Sequence, residues 1–186
     1  YTKTSQAGLV RHYTQLANAV SLPIIMYNVP SRTGVNIAPE TCAELAKLDN
    51  IAAVKEASGN ISQIASIAAL CGESLDIYSG NDDQIIPIMA LGGKGVISVL
   101  SNCMPFETHE ICRLCLENKY DEARDLAFKI HDFTKTLFCD VNPIPVKEAL
   151  NLMGFNAGPC RLPLIEMSEA KKKQLSDSMK AVGLIK

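Results

Sequence analysis

Short apolar runs alternate with amphipathic segments along the first half of the chain. Apolar runs typical of doubly buried strands begin at residues 23, 51, 75 and 96, a spacing of 28 residues or less. Helical periodicity fills the segments around them, in residues 5–20, 39–48, 61–71 and 82–91. This alternation predicts consecutive βα units, and hence a parallel sheet with helices outside it.

The helical segments carry local start signals. Ser5 is the predicted N-cap of the first helix, and Pro87 should kink the fourth or mark its first turn. One face of the first helix carries the residues Leu9, Tyr13, Leu16 and Val20.

The pattern changes after the fourth strand, which we predict to span residues 96–100. Every later periodic segment reads as helix, in residues 105–118, 120–138, 143–153 and 168–182. Four strands cannot close a barrel, and a complete (β/α)₈ barrel takes about 250 residues. The predicted fold class is therefore α/β, the second half of a (β/α)₈ barrel in residues 1–118 with a C-terminal helical region in residues 119–186. A doubly wound sheet is the alternative, but no glycine-rich phosphate loop follows any strand.

Composition and charge exclude several classes of function. The net charge is −2, and no basic stripe mixed with aromatic residues indicates nucleic-acid binding. Apolar residues make up 47% of the chain, yet no apolar run is long enough to cross a bilayer. The seven cysteines are scattered through aliphatic segments, which favours reduced thiols and a cytoplasmic protein. Cys112 and Cys115 form a CxxC that fits helix packing better than a metal site.

Candidate chemistry lies where the predicted strands end, because catalytic groups gather at the C-terminal ends of parallel strands. Lys55 follows the apolar run Ile51–Val54, where burial favours a neutral amine able to form imines with carbonyl substrates. The alternative is an ordinary lysine that reaches solvent or pairs with Glu56. The histidines, which would be metal ligands, all fall on predicted helices: His12, His109 and His131.

Two further residues suit the same chemistry. Tyr27 ends the preceding strand, about 4.8 Å away if the strands are neighbours, and a tyrosine can relay the protons of imine formation. It would otherwise be an aromatic cap on the core. Arg32 lies in the polar loop that follows, where its guanidinium can bind a carboxylate or simply face solvent.

Five ordered motifs carry a resemblance to a known family. They are YNVPSRTG at 27–34, VKEASGN at 54–60, YSGND at 78–82, GGKGVISV at 92–99 and NPIPVK at 142–147. In this set the chain resembles the dihydrodipicolinate synthase family of pyruvate-dependent class I aldolases, over essentially all of its length. The resemblance implies about strands 5–8 of a TIM barrel.

The resemblance also implies an activity. Lys55 would form a Schiff base with pyruvate, and the enamine would attack L-aspartate-4-semialdehyde to give 4-hydroxy-tetrahydrodipicolinate for lysine and diaminopimelate biosynthesis. Tyr27 would relay protons, and Arg32 would hold the carboxylate of the semialdehyde.

Further residues and partners follow from the resemblance. Gly80 and Ile97 would line the pyruvate pocket, and Tyr1 would reach a neighbouring subunit's site and complete the proton relay. The implied assembly is a homotetramer, a dimer of dimers. No organic cofactor or metal is implied. The family's relay also needs a threonine from the first half of the barrel, so the isolated 186-residue chain should be inactive.

Two other readings compete with this activity. Sister aldolases, such as N-acetylneuraminate lyase and keto-deoxy-sugar-acid lyases, share the lysine and the tyrosine but bind polyhydroxylated substrates. Arg32 favours a short substrate with a terminal carboxylate. The rival from another class is a non-catalytic barrel that binds a keto acid, since a fold alone does not guarantee activity.

Overall fold

The computed structural model describes residues 3–186, which fall into two compact units. The first unit ends at Ile97 and holds a parallel sheet with helices, and the second unit, Ser98–Lys186, is helical. The α/β class is therefore confirmed. The predicted boundary at residue 118 stays a prediction, because it assigns segments to parts of a complete barrel.

One parallel sheet organises the first unit. Its strands lie side by side in chain order: β1 (Ile24–Asn28), β2 (Ile51–Glu56), β3 (Asp76–Ser79) and β4 (Gly95–Val96). Pairing of β1 with β2 is irregular at its start, where β2 carries one extra residue opposite Ile24 and Ile25, and it is regular from there to the strand ends.

Helices lie before and between the strands, and all but the shortest of them pack against one face of the sheet. They are α1 (Gln6–Ala19), α2 (Pro30–Thr33), α3 (Pro39–Leu45), α4 (Ile61–Cys71) and α5 (Ile85–Ala90). Met26, Val54 and Ile77 from the sheet pack in one buried cluster with Leu45 of α3 and Ile64 of α4. This cluster is the hydrophobic core of the first unit, and it fixes the sheet on which the strand ends lie.

Several local predictions are confirmed. The hydroxyl of Ser5 accepts a hydrogen bond from Gly8 N at 3.2 Å, so Ser5 is the N-cap of α1. Pro87 lies in the first turn of α5, where a missing N–H costs nothing. Leu16 and Val20 are exposed, however, so the buried side of α1 is narrower than the apolar pattern indicates.

The predicted fourth strand, residues 96–100, is wrong beyond its first residue. Strand β4 comprises only Gly95–Val96, and a 3₁₀ turn occupies Leu100–Asn102. The hydroxyl of Ser98 accepts a hydrogen bond from Ser101 N at 2.8 Å, which turns the chain away from an extended course. The β-branched residues in this run predicted a longer strand, although the pairing of β4 with β3 ends at Val96.

The second unit packs helices around its own core. It contains α6 (Pro105–Leu116), α7 (Tyr120–Lys129), α8 (His131–Thr136), α9 (Ile144–Leu152) and α10 (Glu169–Ala181). The single helix predicted for residues 120–138 is wrong, because Ile130 adopts φ −107° and ψ 6° and separates α7 from α8. Ile130 is buried, which explains why apolar periodicity continues across the break.

Candidate active site

A row of side chains crosses the sheet near the C-terminal ends of its strands. Tyr27 is paired in register with Lys55, Lys55 with Tyr78, and Tyr78 with Gly95. Since successive side chains in a strand point to opposite faces, this row lies on the face opposite the core residues Met26 and its neighbours. Tyr27 is exposed on this face, and Lys55 and Tyr78 are partly buried.

The predicted approach of Tyr27 to Lys55 is present in the structure. The Lys55 Nζ atom lies 4.0 Å from the centroid of the Tyr27 ring. The lysine nitrogen therefore lies in contact with the face of the Tyr27 ring. Two residues with the chemistry of an imine-forming pair are thereby brought together at the strand ends.

Arg32 lies on a short helix where the sequence indicated only a polar loop. Pro30 occupies the first turn of α2, and Gly34 ends it with φ 68°, closed by a hydrogen bond from Gly34 N to Pro30 O at 2.9 Å. Glycine suits this left-handed position because it has no Cβ. Within residues 3–186, the exposed Arg32 guanidinium makes no ion pair, so it is available to an anionic ligand.

Gly80 follows β3 directly and contacts the candidate lysine. A Cβ added there would lie 2.6 Å from Ala57 Cβ and 3.2 Å from Lys55 Cε. Gly80 N also donates a hydrogen bond to Glu56 O at 2.8 Å. A larger residue would displace the lysine side chain, so the absence of a side chain at Gly80 leaves the space that Lys55 uses.

Ile97 follows β4 at the same end of the sheet. Its backbone N–H donates to Ser79 O at 2.9 Å, and its side chain is exposed. Four of the predicted site residues in the first unit therefore lie at neighbouring strand ends: Tyr27, Lys55, Gly80 and Ile97. Tyr1 lies outside the described residues.

A buried polar pair behind this row was not foreseen from the sequence. Asn28 and Glu56 are paired in register, and the Asn28 amide donates to both carboxylate oxygens of Glu56, at 3.2 and 3.0 Å. The sequence placed Asn28 and Glu56 among the strand-end residues and named Glu56 as a possible partner of Lys55, but it did not predict that the two residues pair with each other. The sequence does contain a signal for this pair, because β1 and β2 each end in two polar residues, Tyr27-Asn28 and Lys55-Glu56.

Tyr13 lies on the face of α1 that the apolar pattern predicted, but its position beside Tyr27 was not predicted. Together with Tyr27, it lines a cavity of about 450 Å³ in the first unit. Burial raises the pKa of the Tyr13 phenol, and a backbone hydrogen bond with Tyr27 opposes that rise. Tyr13 thus supports the strand that carries Tyr27, from the side of α1.

The thiols and histidines form no competing site. All seven cysteines are free. Burial is the main cause that raises the pKa of Cys42 to about 12 and that of Cys103 to about 11, which makes both poor nucleophiles. Among residues 3–186, no cluster of His, Cys, Asp or Glu could hold a metal ion. No helix in the same range combines the length and the apolar composition needed to cross a membrane.

Comparison with known proteins gives a consistent family. The model of the dihydrodipicolinate synthetase family matches residues 1–182. The 4-hydroxy-tetrahydrodipicolinate synthase of Caldicellulosiruptor bescii is 56% identical over 184 residues, which are 99% of this chain and 62% of that protein. The chain therefore spans less than two thirds of the length of this relative.

Solved structures agree with the sequence comparison. Dihydrodipicolinate synthase from Aquifex aeolicus has a TM-score of 0.96 and 43% identity, covering 99% of this chain and 63% of that one. The chloride-inhibited dihydrodipicolinate synthase from Acinetobacter baumannii, solved in complex with pyruvate, has a TM-score of 0.96 and 38% identity. The match covers 100% of this chain and 64% of the A. baumannii chain.

Proposed function

This chain belongs to the dihydrodipicolinate synthetase family, and from that premise we propose that it carries the Schiff-base site of a 4-hydroxy-tetrahydrodipicolinate synthase. Pyruvate is held as an imine on Lys55 and condenses with L-aspartate-4-semialdehyde. The product, 4-hydroxy-tetrahydrodipicolinate, serves lysine and diaminopimelate biosynthesis. The contact between Lys55 Nζ and the Tyr27 ring is the observation that supports this proposal most directly.

The proposed fold of the complete protein is a (β/α)₈ barrel of which this chain forms the second half. In this proposal β1 to β4 are strands 5–8, residues 1–118 belong to the barrel, and residues 119–186 form a C-terminal helical region. Two facts support it. The chain spans 62% of the C. bescii relative, and β1 and β4 are the edges of the sheet in the described residues.

The chemistry begins with the Lys55 amine. Its lone pair attacks the keto carbon of pyruvate, and loss of water from the carbinolamine gives the imine. Loss of a proton from the methyl carbon then gives an enamine, whose carbon attacks the aldehyde of the semialdehyde. The amino group of the semialdehyde then attacks the imine carbon, which closes the ring of the product and releases the Lys55 amine. The phenol of Tyr27 is the group placed to carry the protons that move at the lysine nitrogen and at the carbinolamine oxygen beside it.

Substrate recognition falls to the residues around this pair. Gly80 and Ile97 line the pyruvate pocket from the neighbouring strand ends. Arg32 binds the carboxylate of the semialdehyde, since its guanidinium is exposed and matches a carboxylate with two parallel hydrogen bonds. Tyr1 of a neighbouring subunit completes the proton relay.

The sister aldolases are the second candidate within the same chemistry. They would use the same imine on Lys55 but a polyhydroxylated acceptor, for which a guanidinium at Arg32 offers no matching charge. An assay that offers the complete protein either pyruvate with aspartate semialdehyde or a keto-deoxy-sugar acid separates the two activities. Consumption of aspartate semialdehyde supports the synthase, whereas cleavage of a keto-deoxy-sugar acid supports the sister aldolases.

Assembly and location are part of the proposal. A homotetramer built as a dimer of dimers would bury apolar side chains that the second unit exposes, among them Phe106, Phe128 and Phe155. The free cysteines fit the cytoplasm, where thiols stay reduced. Sedimentation of the complete protein tests the tetramer.

Borohydride trapping tests the Schiff base. The protein to use is a completed chimera, defined as the N-terminal part of the C. bescii relative followed by this chain. Pyruvate and borohydride should leave a reduced pyruvyl adduct on Lys55, located by peptide mass mapping. The Lys55→Ala variant should form no adduct, because it lacks the amine. An adduct on a different lysine, or none in the unsubstituted chimera, would favour a barrel that only binds keto acids.

The 186-residue chain by itself provides the control for completeness. It lacks the other part of the barrel and, in this proposal, the threonine of the proton relay, so condensation activity should be absent. The same condensation assay, run on this chain and on the completed chimera, makes the comparison. Measurable turnover by the chain alone would contradict the proposed need for the first half.

A further inference from the structure

Each of the first two strands ends in a dipeptide with one residue on each face of the sheet. The dipeptides are Tyr27-Asn28 in β1 and Lys55-Glu56 in β2, and both positions are paired in register, Tyr27 with Lys55 and Asn28 with Glu56. Because side chains alternate, the candidate reacting pair lies on one face and the polar pair on the other. The same two backbone segments therefore carry both pairs.

The Glu56 carboxylate is enclosed by hydrogen-bond donors. Its side chain is 0% exposed, and it accepts from Asn28 Nδ2 at 3.0 and 3.2 Å, from Ser58 N at 2.7 Å and from Gln63 Nε2 at 3.4 Å. A buried carboxylate is costly unless such donors surround it. All three partners donate through N–H groups, so their arrangement favours the ionised carboxylate, in which both oxygens are acceptors.

Asn28 is held from both of its ends. Its side chain is 1% exposed, and its carbonyl oxygen accepts from Ile37 N at 2.9 Å, which turns the amide nitrogen toward Glu56. The same nitrogen donates to Asn36 Oδ1 at 2.9 Å. Asn28 thereby joins the end of β1, the segment after α2 and the end of β2 through a single side chain.

We propose that Asn28 and Glu56 are positioning residues that fix the register of Tyr27 against Lys55 and so place the amine over the ring. The inference rests on the proposed function, because it assigns a role in imine formation. The pairing of β1 with β2 is irregular at Ile24 and Ile25, so the start of the strands does not impose the register that the strand ends need. Misplacing a reacting group by about 1 Å can cost on the order of 10²-fold in rate.

Two substitutions and their combination probe the pair. Glu56→Gln puts an amide nitrogen among donors, and Asn28→Asp puts a second carboxylate against Glu56. Either change should slow adduct formation on Lys55 in the completed chimera by roughly tenfold to a hundredfold. The double variant Asn28→Asp/Glu56→Gln restores one donor facing one acceptor, and it should react about tenfold faster than either single variant.

A matched control separates positioning from loss of stability. Asn50 precedes β2 at the opposite end of the sheet, and its amide donates to Ala17 O at 3.0 Å and to Val20 O at 2.9 Å. Asn50→Ala removes these two hydrogen bonds, one part-buried and one exposed, in the same unit without touching the strand ends. It should lower the unfolding midpoint and leave the trapping rate per folded molecule unchanged.

A second readout needs no pyruvate. Protons on Lys55 Cε lie beside the Tyr27 ring, so their NMR resonances should be shifted to low frequency by the ring current. Tyr27→Leu removes the shift and identifies the signal. Glu56→Gln should reduce the shift, the double variant should restore it, and Asn50→Ala should preserve it.

The outcomes separate the two hypotheses. An unchanged ring-current shift in Glu56→Gln and Asn28→Asp overturns the positioning role, and so does a trapping rate that falls only as far as it does in Asn50→Ala. If the unsubstituted chimera forms no adduct, the proposed function fails while the ring-current shift still decides the register. Should Glu56→Gln not fold, Gln63→Leu serves instead. It removes the outermost donor to Glu56 together with the two hydrogen bonds between Gln63 and Asn36, and it should reduce both readouts by a smaller factor.

Discussion

The two faces of the sheet in the first unit differ in what surrounds them. On one face Met26 and Val54 are completely buried against helices, whereas on the other Ile25 is 48% exposed and Tyr27 42% exposed. These residues alternate along the same strands. Neighbouring positions of one strand therefore serve different ends, one stability and the other chemistry, and the effect of a substitution should alternate with a period of two.

The largest effect is expected on the condensation rate, for a substitution on the open face, which is the face of the sheet where Ile25 and Tyr27 are exposed. Tyr27→Phe keeps the ring over which Lys55 Nζ lies but removes the phenol that carries protons. Condensation by the completed chimera should fall about 10²- to 10⁴-fold, while the free energy of unfolding changes by at most about 0.5 kcal/mol. Steady-state kinetics and denaturant unfolding measure the two quantities.

Tyr78→Phe is the matched control for that change. Tyr78 lies in the same row across the sheet, paired with Lys55 from the other side, but within residues 3–186 only the Tyr27 ring makes a cation–π contact with Nζ. Its loss of a hydroxyl should have a much smaller effect on the rate. Equal condensation rates for the two variants would mean that the Tyr27 phenol has no special part in proton transfer.

The next effect belongs to the buried face. Met26→Ala should lower the free energy of unfolding by about 2–5 kcal/mol, because the side chain is fully buried and leaves a cavity. Trapping of pyruvate per folded molecule should stay the same. Ile25→Ala, one position away on the open face, should cost much less stability. Denaturant titration of both variants makes the comparison, and similar costs would break the alternation.

The smallest expected effect combines a loss of stability with a slower trapping rate in one variant. Gly80→Ala places a methyl group 2.6 Å from Ala57 Cβ and 3.2 Å from Lys55 Cε, so it should lower stability by about 1–3 kcal/mol and also slow trapping. The double variant Gly80→Ala/Ala57→Gly removes the closer clash. It should recover part of the stability, because the Glu56 O atom still lies 3.1 Å from the added methyl group. It should not recover the trapping rate, since the contact with Lys55 remains; recovery of both would assign the defect to Ala57.

The sequence predicted those parts of the fold whose local pattern and tertiary role agree. The helix at residues 61–71 has the predicted bounds because Asn60 caps it and its apolar face is continuous. The pattern failed at residues 96–100 and at Ile130, where an apolar run persists although the backbone turns. Apolar periodicity reports burial, and it does not report where hydrogen-bond partners end.

The site divides in the same way. Tyr27 and Lys55 were found because strand ends of a parallel sheet are adjacent, which follows from topology alone. The Asn28–Glu56 pair was missed, because a polar residue at a strand end looks like one that reaches water. Only the register and the donors from the segments after each strand show that the pair is buried and satisfied.

The bulge at the start of the sheet bears on how this chain tolerates changes in length. Ile24 pairs with Ile51 and Ile25 with Ala53, so β2 accommodates one extra residue at its entry. A residue inserted or deleted there alters the bulge alone, whereas one between Ala53 and Lys55 would turn Lys55 to the opposite face. Length variation, in natural relatives and in insertion libraries alike, should therefore accumulate at the entry of this strand and be absent from its exit.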